Sequence, residues 1–124
     1  MEEHKILVVD DDSSIRRLLS YLLEKAGYTV VTADDGIEAL ARIESTKPDI
    51  VITDLMMGKL NGYELCRSIR ARHEYDGIRI IVLTARDQTS DIEVLRESGV
   101  DCVMKKPINP QELTKTVRGF LGQQ

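Results

Sequence analysis

Short apolar runs alternate along the chain with amphipathic stretches. The apolar runs are rich in β-branched residues and span residues 6–9, 29–32, 50–53, 78–83 and, more weakly, 100–104. Three of these runs are nearly continuous rather than alternating, which is typical of strands buried on both faces of a parallel sheet. The pattern therefore predicts five strands.

Apolar residues at helical spacing fill the gaps between these runs. The first helix is predicted from Ile15 onwards, with Ser13 or Ser14 as its cap and Gly27 as its stop. The other four helices are predicted from Ile37, Leu40 and Ala41; from Tyr63, Leu65, Cys66 and Ile69; from Ile92 and Leu95; and from Leu113, Val117, Phe120 and Leu121 after the cap Asn109. Five alternating strand–helix units indicate an α/β fold with helices on both faces of the sheet, because parallel strands need long crossovers.

Composition limits the classes of protein to which the chain belongs. The 124 residues suit one domain, which we place at 1–121 with a C-terminal tail at 122–124. The net charge of −4 argues against a nucleic-acid-binding surface. The start of the chain lacks the shape of a signal peptide, and no apolar run approaches the length of a membrane span. Two cysteines make no disulfide framework, so we expect a cytoplasmic domain. The net charge and the short apolar runs lead us to expect that it binds neither nucleic acid nor membrane.

Acidic side chains follow two of the predicted strands. Asp10, Asp11 and Asp12 come after the first strand, and Asp54 ends the third. In an open α/β sheet, ligands bind beyond the carboxyl ends of the strands. Carboxylates that lie close together repel one another unless a cation offsets their charge, and oxygen ligands of this kind suit Mg²⁺. The acidic triplet alone would equally suit a helix cap, but Asp54 at the same sheet edge favours a metal site.

The fourth and fifth predicted strands end in residues that suit phosphoryl chemistry. Thr84 ends the fourth strand, and Lys105, Lys106 and Pro107 follow the fifth. A carboxylate such as Asp54 can accept a phosphoryl group as a nucleophile, and this transfer depends on positioning and on neutralisation of charge. Lys106 can supply a cation opposite the metal, and the Thr84 hydroxyl can donate to a phosphoryl oxygen. Each residue taken alone has an ordinary structural explanation, so the prediction depends on their convergence at one edge.

These motifs occur in a characteristic order. They are Val8-Val9-Asp10-Asp11, Asp54 with Gly62 eight residues later, Thr84-Ala85, and Lys106-Pro107. In residues 5–121 the chain resembles the response-regulator receiver domains of bacterial two-component signalling. The resemblance implies a flavodoxin-like, doubly wound, five-stranded parallel sheet with strand order 2-1-3-4-5. It also implies a phosphorylation-activated switch that assists its own phosphorylation and dephosphorylation but is not an enzyme.

The resemblance assigns a role to each motif residue. Asp54 is expected to be the phospho-acceptor, Thr84 the switch hydroxyl, and Lys106 the lysine that contacts the phosphoryl group. The Lys106–Pro107 peptide bond is expected to be cis, which would help to direct the Lys106 side chain inward. Asp11 and Asp54 are expected to ligate Mg²⁺ directly, and Asp10 through water. The backbone carbonyl of Met56 is expected to complete the ligand set.

Partners follow from the same resemblance. We expect the phosphoryl group to come from a sensor histidine kinase or a phosphotransfer protein. The signal is expected to pass by protein contact, or to an effector domain outside this chain, through the surface of the predicted fourth helix, fifth strand and fifth helix. The identity of the kinase and of the effector is not readable from the sequence.

Two residues depart from the family pattern. Gly58 stands where the family often has proline, and it should loosen the loop after the acceptor. Val103 stands where the family usually has an aromatic residue that turns inward during activation, and valine has no comparable rotamer change. These departures leave open an alternative, in which the chain is a constitutive binding module with a receiver fold that is never phosphorylated. A flavin-binding or phosphatase-like domain is a third alternative, which the shortage of aromatic residues and the acidic edge disfavour.

Two further groups receive structural interpretations. Arg67, Arg70, Arg72 and His73 form a basic patch that we interpret as a solvated face, with a partner surface as the less favoured alternative. Cys66 and Cys102 fall at apolar positions and are predicted to be inert thiols.

Overall fold

A computed structural model describes residues 3–55, 57–85 and 97–122, which form a parallel sheet with helices on both faces. The strands are β1 (Lys5–Val9), β2 (Thr29–Ala33), β3 (Ile50–Asp54), β4 (Arg79–Thr84) and β5 (Cys102–Lys105), and the α-helices are α1 (Ser13–Lys25), α2 (Gly36–Thr46), α3 (Gly62–Arg70) and α4 (Pro110–Phe120). The predicted fourth helix lies outside the described residues, so α4 is the predicted fifth helix. None of the described helices has the length and apolar content needed to cross a bilayer.

The sheet has the strand order β2-β1-β3-β4-β5, and each neighbouring pair is parallel, as predicted. The order places β1 beside β3, with Val9 opposite Thr53. It also places Asp54 opposite Leu83 and Thr84 opposite Lys105. Residues that end or follow these four strands therefore emerge together at one edge, where the direction of strand winding reverses.

Alternate residues of the central strands point into two separate apolar clusters. On one face, Leu7, Val9, Val51, Ile80 and Val82 pack with Ala39, Ile43, Leu65, Cys66 and Ile69 of α2 and α3. On the other face, Ile6, Val8, Ile50, Ile52, Ile81 and Leu83 pack with Leu19, Leu23, Leu113 and Val117 of α1 and α4. Burial on both faces explains why these strands are almost continuously apolar in sequence.

The caps of α1 and α4 set where the chain turns away from the sheet edge. α1 is capped by Asp12, whose side chain accepts the backbone N–H of Ser14. The prediction of a serine cap is therefore wrong by one or two residues, and the cap belongs to the acidic triplet itself. α4 is capped by Asn109 and has Pro110 at its first turn, as predicted.

The buried face of α2 differs from the predicted one. Ile37 is 60% exposed, whereas Ala39 and Ile43 are fully buried against the sheet. The side chain of Asp35 caps α2 by accepting the Glu38 N–H, and the helix turns Ala39 and Ile43 rather than Ile37 towards the sheet. Three apolar positions were too few to decide which stripe of the helix faces the sheet.

Candidate functional site

An acidic cluster lies at the carboxyl edge of the sheet. Carboxylate oxygens of Asp10, Asp11 and Asp54 all lie within 4.8 Å of one another. Asp10 and Asp54 are buried, with 1% and 8% of their surface exposed, and Asp11 is exposed. Three carboxylates at this spacing form a set of hard oxygen ligands that is open to solvent on one side. Such a donor set fits a divalent cation, and Mg²⁺ would retain several water molecules there.

Lys106 supplies a positive charge to this cluster from the end of β5. Its Nζ lies 3.3 Å from Oδ1 of Asp54 and 3.5 Å from Oδ2 of Asp10. The backbone N–H of Lys106 donates to the carbonyl of Thr84 at 2.8 Å, which extends the β4–β5 ladder to the site. The Lys106–Pro107 peptide is cis, as predicted. The lysine therefore faces the predicted acceptor side chain rather than solvent.

The pKa of the Asp10 carboxyl is raised above its ordinary value, because burial disfavours its charged form. The Asp12 N–H, which donates to Asp10 Oδ1 at 2.9 Å, and the Lys106 ammonium act in the opposite direction. The neighbouring Asp11 charge raises the pKa further. Three carboxylates face one ammonium group among these residues, so Lys106 alone does not offset the negative charge of the ionised cluster, as is expected of a cation site.

Thr84 brings a buried hydroxyl to the end of β4. The residue is fully buried, and its Oγ1 forms no hydrogen bond with any part of the chain that the structure describes. Buried hydroxyl groups normally have a partner, and an unpaired one costs about 1–3 kcal/mol. A hydroxyl with a free donor at the same edge as Asp54 suits a ligand oxygen that arrives from outside the protein.

Gly62 holds the loop after Asp54 against the acceptor strand. A Cβ at this position would lie 2.5 Å from the carbonyl oxygen of Asp54 and 2.9 Å from the Cα of Leu55. The Gly62 N–H donates to the Leu55 carbonyl at 3.0 Å, and Asn61 and Glu64 cap α3 reciprocally. Only glycine permits this approach of the loop to the backbone of the site.

The remaining predicted residues have different outcomes. Met56 lies outside the described residues, so its proposed carbonyl ligand stays a prediction. Gly58 is exposed and does not adopt a left-handed conformation, and a Cβ added to it would meet no atom within 4 Å. Val103 is half-buried against the α2–α3 face of the sheet. No aromatic side chain is available at that position to move with Thr84.

The structure supports the inert-thiol interpretation of the cysteines and only part of the solvated-face interpretation of the basic patch. Cys66 is buried, and burial raises the pKa of its thiol, in keeping with an inert core residue. Cys102 is half-buried, and burial again raises the pKa of its thiol. The solvated-face interpretation is correct for Arg67, Arg72 and His73, which are exposed, but it is wrong for Arg70.

Arg70 links separate segments of the chain by hydrogen bonds that the sequence pattern did not reveal. Its guanidinium donates to the carbonyl oxygens of Gly99, Tyr75 and Ile78 at 3.0, 3.1 and 2.7 Å, and to Oδ2 of Asp101 at 2.9 Å. These bonds join the end of α3 to the segments that precede β4 and β5. Bonds from a side chain to distant backbone carbonyls leave no periodic signal in the sequence, so no pattern could have identified them.

Comparison with known proteins gives a consistent match. The family model described as "Response regulator receiver domain" matches residues 6–118. The chain is 44% identical over 117 residues to the alkaline phosphatase synthesis transcriptional regulatory protein PhoP of Bacillus subtilis, covering 94% of this chain and 48% of PhoP. It is 39% identical over 117 residues to the DNA-binding response regulator MtrA of Mycobacterium tuberculosis, covering 94% of this chain and 50% of MtrA. The chain thus spans about half the length of the curated relatives it matches.

Solved structures match the fold over nearly the whole chain. A putative response regulator from Chloroflexus aurantiacus aligns with a TM-score of 0.92 at 34% identity, covering 98% of this chain and 100% of that one. The chemotaxis protein CheY4 of Vibrio cholerae aligns with a TM-score of 0.90 at 34% identity, covering 96% and 99% of the two chains. The flavodoxin-like architecture expected from the sequence is therefore confirmed.

Proposed function

Because the chain belongs to the response regulator receiver domain family, we propose that it is a phosphorylation-activated signalling switch with Asp54 as its phosphoryl acceptor. One observation carries this proposal: Lys106 Nζ lies 3.3 Å from Asp54 Oδ1, and the Asp54 carboxylate adjoins those of Asp10 and Asp11. A carboxylate nucleophile between a lysine and an acidic metal site suits phosphoryl transfer, in which positioning and charge neutralisation supply most of the catalysis.

The acceptor step needs little beyond placement of the reacting atoms. A carboxylate oxygen of Asp54 forms the new O–P bond while the N–P bond of a phosphohistidine donor breaks. The electron pair of the broken bond returns to the ring nitrogen of the donor. Asp54 is 8% exposed, so the surrounding structure holds its side chain in place at the sheet edge.

The acidic residues would hold Mg²⁺ as the cofactor. Asp11 and Asp54 are the proposed direct ligands, Asp10 a ligand through water, and the Met56 carbonyl a further ligand. When bound, Mg²⁺ offsets the negative charge that accumulates on the transferring phosphoryl oxygens. Burial of Asp10 beside Asp54 keeps two of these carboxylates at fixed positions before any cation arrives.

Lys106 and Thr84 would respond to the added group. Phosphorylation brings a charge of about −1.5 to −2 and three strong acceptor oxygens. The Lys106 ammonium already lies beside the acceptor and would form an ion pair with a phosphoryl oxygen. The unpaired Thr84 hydroxyl would gain the hydrogen bond that it lacks among the described residues. These new bonds would favour one of two arrangements of the adjoining surface.

The signal would pass from this domain to another protein or domain. We propose a sensor histidine kinase or a phosphotransfer protein as the donor, and an effector contacted through protein surfaces as the output. The domain itself would bind neither nucleic acid nor membrane and would act in the cytoplasm. Val103 would require a relay that does not depend on rotation of an aromatic ring.

The test of this proposal is phosphorylation by a small-molecule donor. Incubated with acetyl phosphate and Mg²⁺, the protein is expected to gain the mass of one phosphoryl group in intact-mass spectrometry. Chelation of Mg²⁺ by EDTA should prevent the gain, because the carboxylates would then repel the incoming phosphoryl group. A protein that neither binds millimolar Mg²⁺ nor gains mass would instead be the constitutive binding module.

A further inference from the structure

One arginine on α1 contacts the backbone of the acidic site. Nη1 of Arg16 donates to the carbonyl oxygen of Asp10 at 2.6 Å, and the side chain is half-buried there. Arg17, the next residue, is exposed, and the structure gives it no hydrogen bond with the described residues. The two adjacent arginines therefore differ in whether they contact the site.

The carbonyl that Arg16 holds belongs to the peptide that leads into Asp11. The six atoms of a peptide unit lie in one plane, so fixing the Asp10 oxygen also fixes the nitrogen of Asp11. Asp10 itself has further restraints, since its N–H donates to Ala33 at 3.2 Å and its Oδ1 accepts the Asp12 N–H at 2.9 Å. These bonds hold the N–H and the side chain of Asp10, and the Arg16 contact is the bond that holds its carbonyl.

Asp11 has no comparable restraint on its own side chain. It is the exposed member of the acidic cluster, and its carboxylate forms no hydrogen bond or ion pair with residues in the described ranges. Asp54 and Asp10, in contrast, are buried and lie beside Lys106. The position of the Asp11 oxygen within 4.8 Å of the other two therefore depends on its backbone.

We infer that Arg16 is a positioning residue that fixes the Asp10–Asp11 peptide, and thereby presents the Asp11 carboxylate to the divalent cation. The inference rests on the proposed function, because it assumes that the acidic cluster binds Mg²⁺. It assigns to Arg16 the role that groups behind the direct ligands have in metal sites, where they orient the ligands.

An electrostatic role and a positioning role of Arg16 predict opposite changes in Mg²⁺ affinity when the side chain is removed. A positive charge near the site repels Mg²⁺, so its simple loss would tighten binding of the cation. Loss of the hydrogen bond to Asp10 would instead free the Asp11 backbone and weaken binding. The direction of the change in Mg²⁺ affinity therefore separates the two roles.

The test is a Mg²⁺ titration of ¹⁵N-labelled protein followed by NMR. Arg16→Ala should raise the Kd for Mg²⁺ by about tenfold, the lower end of the usual range for residues behind metal ligands. Arg16→Lys keeps the positive charge and an N–H donor group on a shorter side chain, and should raise the Kd less. Arg17→Ala removes the same charge from the same helix without this contact and should leave the Kd unchanged or lower it slightly.

The dependence of the phosphorylation rate on Mg²⁺ concentration provides the second readout. The Mg²⁺ concentration that gives half-maximal phosphorylation by acetyl phosphate should rise in parallel with the Kd, whereas the rate at saturating Mg²⁺ should stay near that of the unsubstituted protein. An unchanged or lower Kd for Mg²⁺ in Arg16→Ala would overturn the inference and leave the proposed function standing. If Arg16→Ala does not fold, the same result in Arg16→Lys would overturn the inference. Failure of the unsubstituted protein to bind Mg²⁺ would overturn the proposed function itself.

Discussion

Asp54→Asn is expected to abolish phosphorylation by acetyl phosphate and Mg²⁺. The amide has nearly the same shape as the carboxylate, but its oxygen is a far weaker nucleophile, and it removes one anionic ligand from the acidic cluster. Asp10 remains paired with Lys106, so the lysine keeps a charged partner and the fold should persist. Intact-mass spectrometry, with circular dichroism to check the fold, measures this directly.

Asp12→Asn is the matched control for this experiment. It makes the same change of carboxylate to amide within the acidic triplet, and asparagine caps a helix as well as aspartate does. Asp12 caps α1 and lies outside the group of three close carboxylates. The control should be phosphorylated normally. Full labelling of Asp54→Asn would assign the acceptor to another residue.

Gly62→Ala is expected to destabilise the protein and to disturb the acceptor strand. The added Cβ would meet the Asp54 carbonyl oxygen at 2.5 Å, and both neighbours of that Cβ are backbone atoms that cannot rotate away. Forced backbone shifts of this kind cost about 1–3 kcal/mol. A urea titration should therefore give a lower unfolding midpoint, and phosphorylation at fixed Mg²⁺ should slow because Asp54 moves.

Gly58→Ala provides the comparison within the same loop. A Cβ at residue 58 would meet no atom within 4 Å, and the residue does not need a left-handed conformation. Alanine there should keep or slightly raise the free energy of unfolding, by up to about 1 kcal/mol, through lower entropy of the unfolded chain. If Gly62→Ala were as stable as Gly58→Ala, the close packing of the loop on the acceptor strand would not hold in solution.

Much of the fold follows from local patterns in the sequence. The near-continuous apolar strands predicted a doubly covered parallel sheet, because alternate residues of each strand enter different cores. The place of Asp10, Asp54 and Lys106 followed from topology, since the carboxyl ends of parallel strands meet at one edge. These predictions needed only periodicity and the rules of strand winding.

Features that depend on single contacts were not predictable in this way. Ile37 faces outward on α2 although it is apolar, and three apolar positions cannot specify which stripe of the helix is buried. Arg70 and Arg16 donate to backbone carbonyls, and a carbonyl exists at every residue, so neither arginine has a recognisable partner in the sequence. Such contacts can be identified only in the folded structure.

The most direct test of the central claim is a crystal structure with Mg²⁺ and beryllofluoride, which resembles a phosphoryl group bound to a carboxylate. We expect beryllium on an Asp54 oxygen, Mg²⁺ ligated by Asp11 and Asp54, and the fluorine atoms contacted by Lys106 Nζ and Thr84 Oγ1. A complex in which beryllofluoride binds elsewhere, or in which Lys106 turns to solvent and Mg²⁺ leaves the acidic cluster, would contradict the account.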